Sequence, residues 1–358
     1  MTNKPGTRNS TRVSRSAATL LRSSTSTVLP GLALATLIGL AASAIAHFLP
    51  IIGAPVIAII IGILVALVRP ASASLRPGLH VASKLVLQIS IVLLGTGLSL
   101  HEVASTGMSS LPVLLGTLII ALLAAWFVGR RLGVIGDVRT LIGVGTAICG
   151  ASAIAATDAV IDAPEQDVAY AVATIFTFNV VAVLTFPLLG HALHLSQHSF
   201  GLLAGTAVND VSSVVATSSV YGHSASSYAI IVKLSRTLMI IPIVLGLAFW
   251  KTRHGEGRKE RARLILTPTR LVKIFPCFIA WFLGAVLLNS SGIISHSVSH
   301  DFANVAQIFI AIALGAIGLS TRLRDIRTAG FRPLALGAIL WVVVTLTSLL
   351  LQLATGSI

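Results

Sequence analysis

Apolar runs long enough to cross a bilayer recur from about residue 30 to residue 354 of this 358-residue chain. A transmembrane helix needs about 18 or more mostly apolar residues. A closed β-barrel would instead alternate apolar and polar positions. Charged residues make up 10% of the chain and hydrophobic ones 55%, where a soluble domain carries roughly 25% charged. The fold class is therefore an all-α polytopic membrane protein.

Eleven spans are expected, at about 30–49, 51–68, 85–101, 111–129, 139–159, 168–190, 199–221, 226–249, 272–289, 303–320 and 333–354. Pro30, Pro112 and Pro333 sit at expected helix starts, where a missing N–H costs nothing. Pro187 and Pro242 fall within spans and predict kinks. Charge tests the count. With the N-terminus inside, every Lys and Arg falls on the cytoplasmic side except Lys233 and Arg236, which lie inside a span. Glu102, Asp158, Asp162, Glu165, Asp167 and Asp301 fall outside. This is the positive-inside pattern, and it predicts an N-in, C-out topology in a cell (inner) membrane.

Residues 1–29 carry Lys4, Arg8, Arg12, Arg15 and Arg22 with many Ser and Thr and no acid. They read as a disordered basic cytoplasmic arm ahead of a single transmembrane domain over 30–358. The net charge of +14 flanks apolar runs and does not form one stripe, which argues against nucleic acid. Cys149 and Cys277 show neither disulfide nor metal spacing, and no cofactor is expected. The composition is compatible with a homodimer.

Two internal echoes stand out. In 145–157 against 205–217, Gly, Thr, Ala, Ser, Ala and Thr recur at matching positions. Gly97-Leu98-Ser99 with Pro112, Leu115 and Gly116 is matched by Gly318-Leu319-Ser320 with Pro333, Leu336 and Gly337. Transporters are often built from inverted repeats, with broken helices at a mid-membrane site. Gly143, Gly145 and Gly150 cluster within span five, and Asn209-Asp210 is a natural cap for a half-helix starting at Val211. Two broken, crossing helices are expected, interrupted near 145–150 and 205–210. The alternative for the first is tight packing of an unbroken helix.

Ionisable groups inside such spans cost at least ~2.5–3.5 kcal/mol each on insertion scales, so they mark a functional site by default. Lys233 and Arg236 share one helix face, and Arg236 lies too deep to snorkel easily. Asp210 is the expected partner and Asp158 a second. Two cations against one deep carboxylate leave positive charge over. With the hydroxyls of Thr146, Ser152, Thr206, Ser212 and Ser213, and with half-helix N-termini, that surplus makes an anion site. The alternative is a structural ion pair locking two helices. The candidate substrate-binding set is Gly145, Thr146, Cys149, Gly150, Ser152, Thr206, Asn209, Asp210, Ser212, Lys233 and Arg236. Asn179 and Gln307 read as polar glue between helices.

The segments 148–156, Gly205-Thr206-Ala207 with Asp210 and Ser212, and Val232-Lys233-Leu234-Ser235-Arg236 resemble the YeiH-type bacterial inner-membrane proteins, a family designated as sulfate exporters. The resemblance runs from about residue 30 onward. It implies a carrier of ten to eleven helices with crossed broken helices. Asn209 and Val211 depart from its pattern, standing where a His commonly precedes and a Thr follows the aspartate.

The expected function is secondary transport, as an exporter, of a small anion such as sulfate or a related oxyanion or sulfonate, with H+ or Na+ as coupling ion. The alternative is a cation/proton antiporter with Asp210 as its ion-binding carboxylate. An intramembrane enzyme is not expected: His-Glu-x-x-His, paired aspartates and Gly-x-Ser-x-Gly are all missing from the sequence.

Overall fold

The computed structural model describes residues 10–48, 53–254, 277–320 and 330–357, and the regular elements among them are all helical. Among the described residues, seven helices are long and apolar enough to span a bilayer; Gly53–Val68, Ala151–Ile161, Val211–Tyr221 and Cys277–Ser290 are shorter apolar helices. The chain divides into two compact units, Met1–Gln88 with Ile308–Thr321, and Ile89–Gln307 with Arg322–Ile358. The basic stretches within 255–276 and 321–329 lie outside the described residues.

The first unit holds α1 (Ser10–Phe48), α2 (Gly53–Val68), α3 (Arg76–Val81) with a π-helical turn at Ala82–Val86, and the end of α14 (His296–Ser320) from Ile308 onward. Its core is built largely of small side chains: Ala35, Ala42, Ala58, Ala82, Ala311 and Ala316, with Ile38, Leu79 and Leu319. Apolar burial drives little association in lipid, so close packing of small residues must do it. A Cβ on Gly78 would lie 2.1 Å from the Val28 carbonyl oxygen, so α1 and α3 touch backbone to backbone there. Helix α1 begins at Ser10, inside the stretch read from the sequence as a disordered arm. Ala17, Ala18, Leu20 and Leu21 are good helix formers, and no proline intervenes before Pro30.

The second unit holds α4 (Leu87–Gly95), α5 (Leu100–Arg131), α6 (Asp137–Ala147), α7 (Ala151–Ile161), α8 (Glu165–Ala192), α9 (Gln197–Ala207) and α10 (Val211–Tyr221). It continues with α11 (His223–Thr237), α12 (Ile240–His254), α13 (Cys277–Ser290), the start of α14 and α15 (Phe331–Ala354). Helix α5 starts eleven residues before the expected boundary because Ser99 and Glu102 form a reciprocal capping box. Pro112 therefore lies inside the helix. Pro187 lies within an unbroken α8, while Pro242 follows the junction between α11 and α12.

Both expected breaks are present, at 148–150 and 208–210. Each separates two 11-residue helices, and the second set repeats the first at an offset of 60 positions (137 to 197, 161 to 221). The halves do not continue in one direction. Each pair folds back on itself.

In the second pair, Tyr221 at the end of α10 donates to the Leu195 carbonyl oxygen at 2.5 Å and stacks on Phe200 at 3.8 Å. Residues 197 and 221 would be ~36 Å apart in a straight helix. In the first pair, a Cβ on Gly145 would lie 3.0 Å from Cγ1 of Ile154, nine residues on. The Asp137 carboxylate at the start of α6 is close enough to act electrostatically on Asp167, just beyond the end of α7. These are helical hairpins. An 11-residue half is ~16 Å long, about half the hydrocarbon thickness.

The hairpins enter from opposite ends of α8. The first opens beside the N-terminal end, near Asp167; the second opens beside the C-terminal end, where His191 stacks on Tyr221 at 4.5 Å. They meet tip to tip: a Cβ on Gly150 would lie 3.2 Å from the Asp210 Cβ. The stretches 139–159 and 199–221, each expected as one span, are thus each a pair of half-helices folded back on one another. The folding back also moves the acidic stretch Asp158, Asp162, Glu165 and Asp167 to the same end as Arg139. The charge test does not distinguish the two arrangements, because two hairpins that each enter and leave on one side would put everything downstream on the same side as two crossings.

Candidate functional site

A broken helix leaves carbonyls at the end of its first half and N–H groups at the start of its second without intrahelical partners. Where two tips meet away from water, those groups need partners from the chain or from a solute. Lys233 and Arg236 supply part of the answer. Both are fully buried. The Lys233 ammonium donates to the Ile148 carbonyl at 2.9 Å and to the Val208 carbonyl at 2.7 Å, which are the C-cap residues of α6 and α9. One cation thus ties both tips together. Arg236 donates through Nε to the Ala147 carbonyl at 2.6 Å and through Nη2 to the Thr146 carbonyl at 3.2 Å. Its Nη1 is buried and has no partner. Cations are favoured at helix C-termini, where the peptide dipoles leave about half a negative charge.

Asp210 was expected to pair with these cations. It does not: among the described residues, no hydrogen bond joins its carboxylate to Lys233 or Arg236. It is the N-cap of α10. Oδ1 accepts from the Ser213 backbone N–H at 2.7 Å and from Ser212 Oγ at 2.5 Å. Oδ2 accepts from Ser213 Oγ at 3.0 Å and from Asn179 Nδ2. The physical reason is local, since a carboxylate at an N-cap reaches its own helix start before any group on a neighbouring element. Asp158 is not the partner either, because its Oδ1 accepts from the Ala163 N–H at 3.0 Å and closes the turn after α7.

The two half-helix N-termini differ. That of α10 is capped by a carboxylate. That of α7 starts at Gly150, with φ +70° and no side chain to cap it. Among the described residues, no bond is made by the N–H groups of Ala151 and Ser152, and both residues are exposed. Gly150 is required there by its backbone conformation and by the closeness of Asp210.

The rest of the candidate set divides. Gly145, buried against Ile154 and Ile175, and Cys149, also buried, pack behind the first tip. Thr146 contributes its carbonyl, not its hydroxyl. The Thr206 hydroxyl is spent within the fold, bonded to the Leu202 carbonyl and to Ser348 Oγ, each at 2.7 Å. Asn209 donates its backbone N–H to Asn179 Oδ1 at 3.1 Å, and its own Oδ1 is buried without a partner. Asn179 is thus part of the site, joining Asn209 to Asp210, although from sequence it read only as glue. The backbone carbonyls were missed altogether. The signal for them was the expected breaks themselves, since a break implies orphan carbonyls. A cleft of about 450 Å³ lined by Thr185, Phe186, Leu189 and Trp341 is almost wholly apolar and holds none of these residues.

Two opposed hairpins with buried cations at their tips, carried on long apolar helices, define a multi-pass membrane protein. The chain belongs to the family described as Conserved hypothetical protein 698, whose profile matches residues 30–337. It is 43% identical over 335 residues to a UPF0324 membrane protein of Streptococcus pyogenes serotype M6, covering 92% of this chain and 97% of that protein. A Fusobacterium nucleatum relative of the same designation is 39% identical over 346 residues, covering 91% and 98%. One from Streptococcus agalactiae serotype V is 40% identical over 336 residues, covering 92% and 98%. The YeiH-type proteins are the same family.

Proposed function

We propose that this protein is a secondary transporter of a small anion, sulfate or a related oxyanion or sulfonate, moved outward across the cell membrane. One observation carries the reading. Two fully buried cations form no hydrogen bond to a carboxylate among the described residues, one guanidinium nitrogen is buried and unbonded, and the half-helix that follows Gly150 has no side-chain cap. A buried charge is costly unless paired. The two helix C-termini and Asp210 offset part of it, and an oxyanion supplies the rest, with N–H groups and a planar guanidinium as hosts. Sulfate and the outward direction are what the resemblance to the YeiH-type proteins implies; the relatives' designations name neither.

The same reading orders the membrane. Nine crossings, two re-entrant hairpins and an N-in, C-out arrangement put every described Lys and Arg outside the spans on the cytoplasmic side. The stacking of Arg130 on Trp126 and of Arg131 on Phe127 suits an interfacial end of α5. An inverted repeat is supported by the equal half-helix lengths, the offset of 60 and the opposed entry of the hairpins. Alternating access then follows from opening one hairpin at a time, each toward its own side.

In the antiporter alternative, Asp210 would bind the driving cation directly. Four donors already occupy its two oxygens, which favours a capping role. Sulfate counterflow in proteoliposomes tests the proposal. Saturable exchange of labelled for unlabelled sulfate is expected, and no exchange with sulfate, sulfite or a sulfonate would sink it.

A further inference from the structure

The two tips end their first halves alike in sequence, Gly-Thr-Ala at 145–147 and at 205–207, but not in chemistry. At the first tip each carbonyl from Gly145 to Ile148 has a partner. Gly145 O accepts from the Gly150 N–H at 2.9 Å, Thr146 O and Ala147 O accept from Arg236, and Ile148 O accepts from Lys233. At the second tip Lys233 serves only Val208 O. The Asn209 N–H, which could have turned back to Gly205, goes to Asn179 instead. Among the described residues, the carbonyls of Gly205, Thr206 and Ala207 accept no hydrogen bond from beyond the break. These three residues are buried. Helix α8, the counterpart of α11 in the other half, carries no Lys or Arg that could reach them.

A second observation points to the same place. Asn209, 2% exposed, holds its Oδ1 buried and unpartnered one residue past Val208. Three carbonyl oxygens and an amide oxygen are all acceptors. All four belong to the five residues 205–209 at the negative end of a half-helix, with the Asp210 carboxylate next in sequence. Hard cations are bound by oxygens of this kind, and unwound carbonyls at half-helix C-termini hold monovalent ions in transporters. Only one carboxylate is close, and the described residues contain no cluster of three His, Cys, Asp or Glu. That chemistry suits a single charge better than a divalent ion.

We infer that the tip of the second hairpin is a monovalent-cation site, formed by the carbonyls of Gly205, Thr206 and Ala207 with Asn209 Oδ1. At the first tip the tethered guanidinium of Arg236 occupies the corresponding position. A soluble alkali cation thus does at one tip what a side chain does at the other. As the coupling ion of an anion carrier, an assignment that rests on the transport reading above, it would add positive charge beside the anion and favour loading of both together. The cation site itself stands without that reading.

The test uses the full chain, purified and held in nanodiscs, with gluconate salts at constant ionic strength and no sulfate. Na+ and K+ are titrated against N-methylglucamine, reading the thermal unfolding midpoint and, for Na+, bound radiolabel. Saturable stabilisation by at least one alkali ion is expected. Asn209→Ala should then need a roughly tenfold higher concentration, the loss expected of one buried polar interaction. Should that variant not fold, Asn209→Asp decides. It keeps the oxygen and adds charge, so half-saturation should fall. The inference is overturned if neither alkali ion exceeds N-methylglucamine, or if neither variant shifts the titration. The two readings fail separately. Sulfate exchange without a cation effect removes only the site inferred here, and a cation effect without sulfate exchange removes only the anion reading.

Discussion

Arg236→Lys separates a substrate-binding guanidinium from a mere staple. The guanidinium presents three nitrogens, two of them bonded to the carbonyls of Ala147 and Thr146 and the third unbonded. An ammonium presents one. It can replace the stronger of the two carbonyl contacts, and the other carbonyl is left buried without a donor. A hydrogen bond to a charged group contributes about 1.5–3 kcal/mol, so the fold should lose about that much. The positive charge remains, so Lys233 and the tips keep most of their electrostatics. The planar fork does not remain, and neither does the free Nη1. If Nη1 holds an oxyanion, losing that contact costs affinity by about the same 1.5 kcal/mol, or roughly tenfold.

Size-exclusion and thermal-unfolding profiles should therefore show folded protein with a modestly lowered midpoint. Sulfate counterflow, normalised to folded protein in the vesicles, should show half-saturation raised roughly tenfold. A folded Arg236→Lys protein with an unchanged sulfate dependence would move Arg236 from the binding site to the scaffold.

Three further outcomes are expected. Asp210→Asn keeps a good N-cap and removes one negative charge from the tips, so it should cost under ~1 kcal/mol and leave sulfate binding intact or tighter; abolished sulfate exchange in a folded variant would favour the antiporter alternative. Gly150→Ala must hold a Cβ at φ +70° against the Asp210 Cβ 3.2 Å away, so a loss of roughly 1–3 kcal/mol in unfolding stability is expected, and a neutral effect would mean the tip relaxes freely. In a background with Cys149 and Cys277 replaced, Ala163→Cys should react with impermeant maleimide from the cytoplasmic side and His194→Cys from the opposite side; labelling of Ala163→Cys from outside would restore two full crossings in place of the hairpins.

Legibility from sequence followed the range of the interactions. Apolar runs report solvent, so the helical membrane class could be read directly. The breaks could be read too, because Gly145, Gly150, Asn209 and Asp210 act within a turn of where they sit. Direction after a break is different. Whether α7 continues α6 or returns beside it depends on contacts such as Gly145 with Ile154 and Ile175, among apolar residues any packing would accept. Parity made the charge test blind as well.

Asp210 shows the same limit at the site. Opposite charges in oily sequence suggest a pair, yet the Asp210 carboxylate takes its donors from Ser212, Ser213 and Asn179, and the cations turn to carbonyls that carry no mark in a sequence. Composition can count charges near a membrane midplane but cannot weigh them against peptide dipoles. Once the dipoles are included, the two helix C-termini of about half a negative charge each are met by two helix N-termini of about half a positive charge each, so the formal surplus of one stands. On the transport reading, an anion would be held by that one charge spread over directed donors and not by a single ion pair. That is the arrangement a carrier needs, since its substrate must be released on the far side as readily as it is bound.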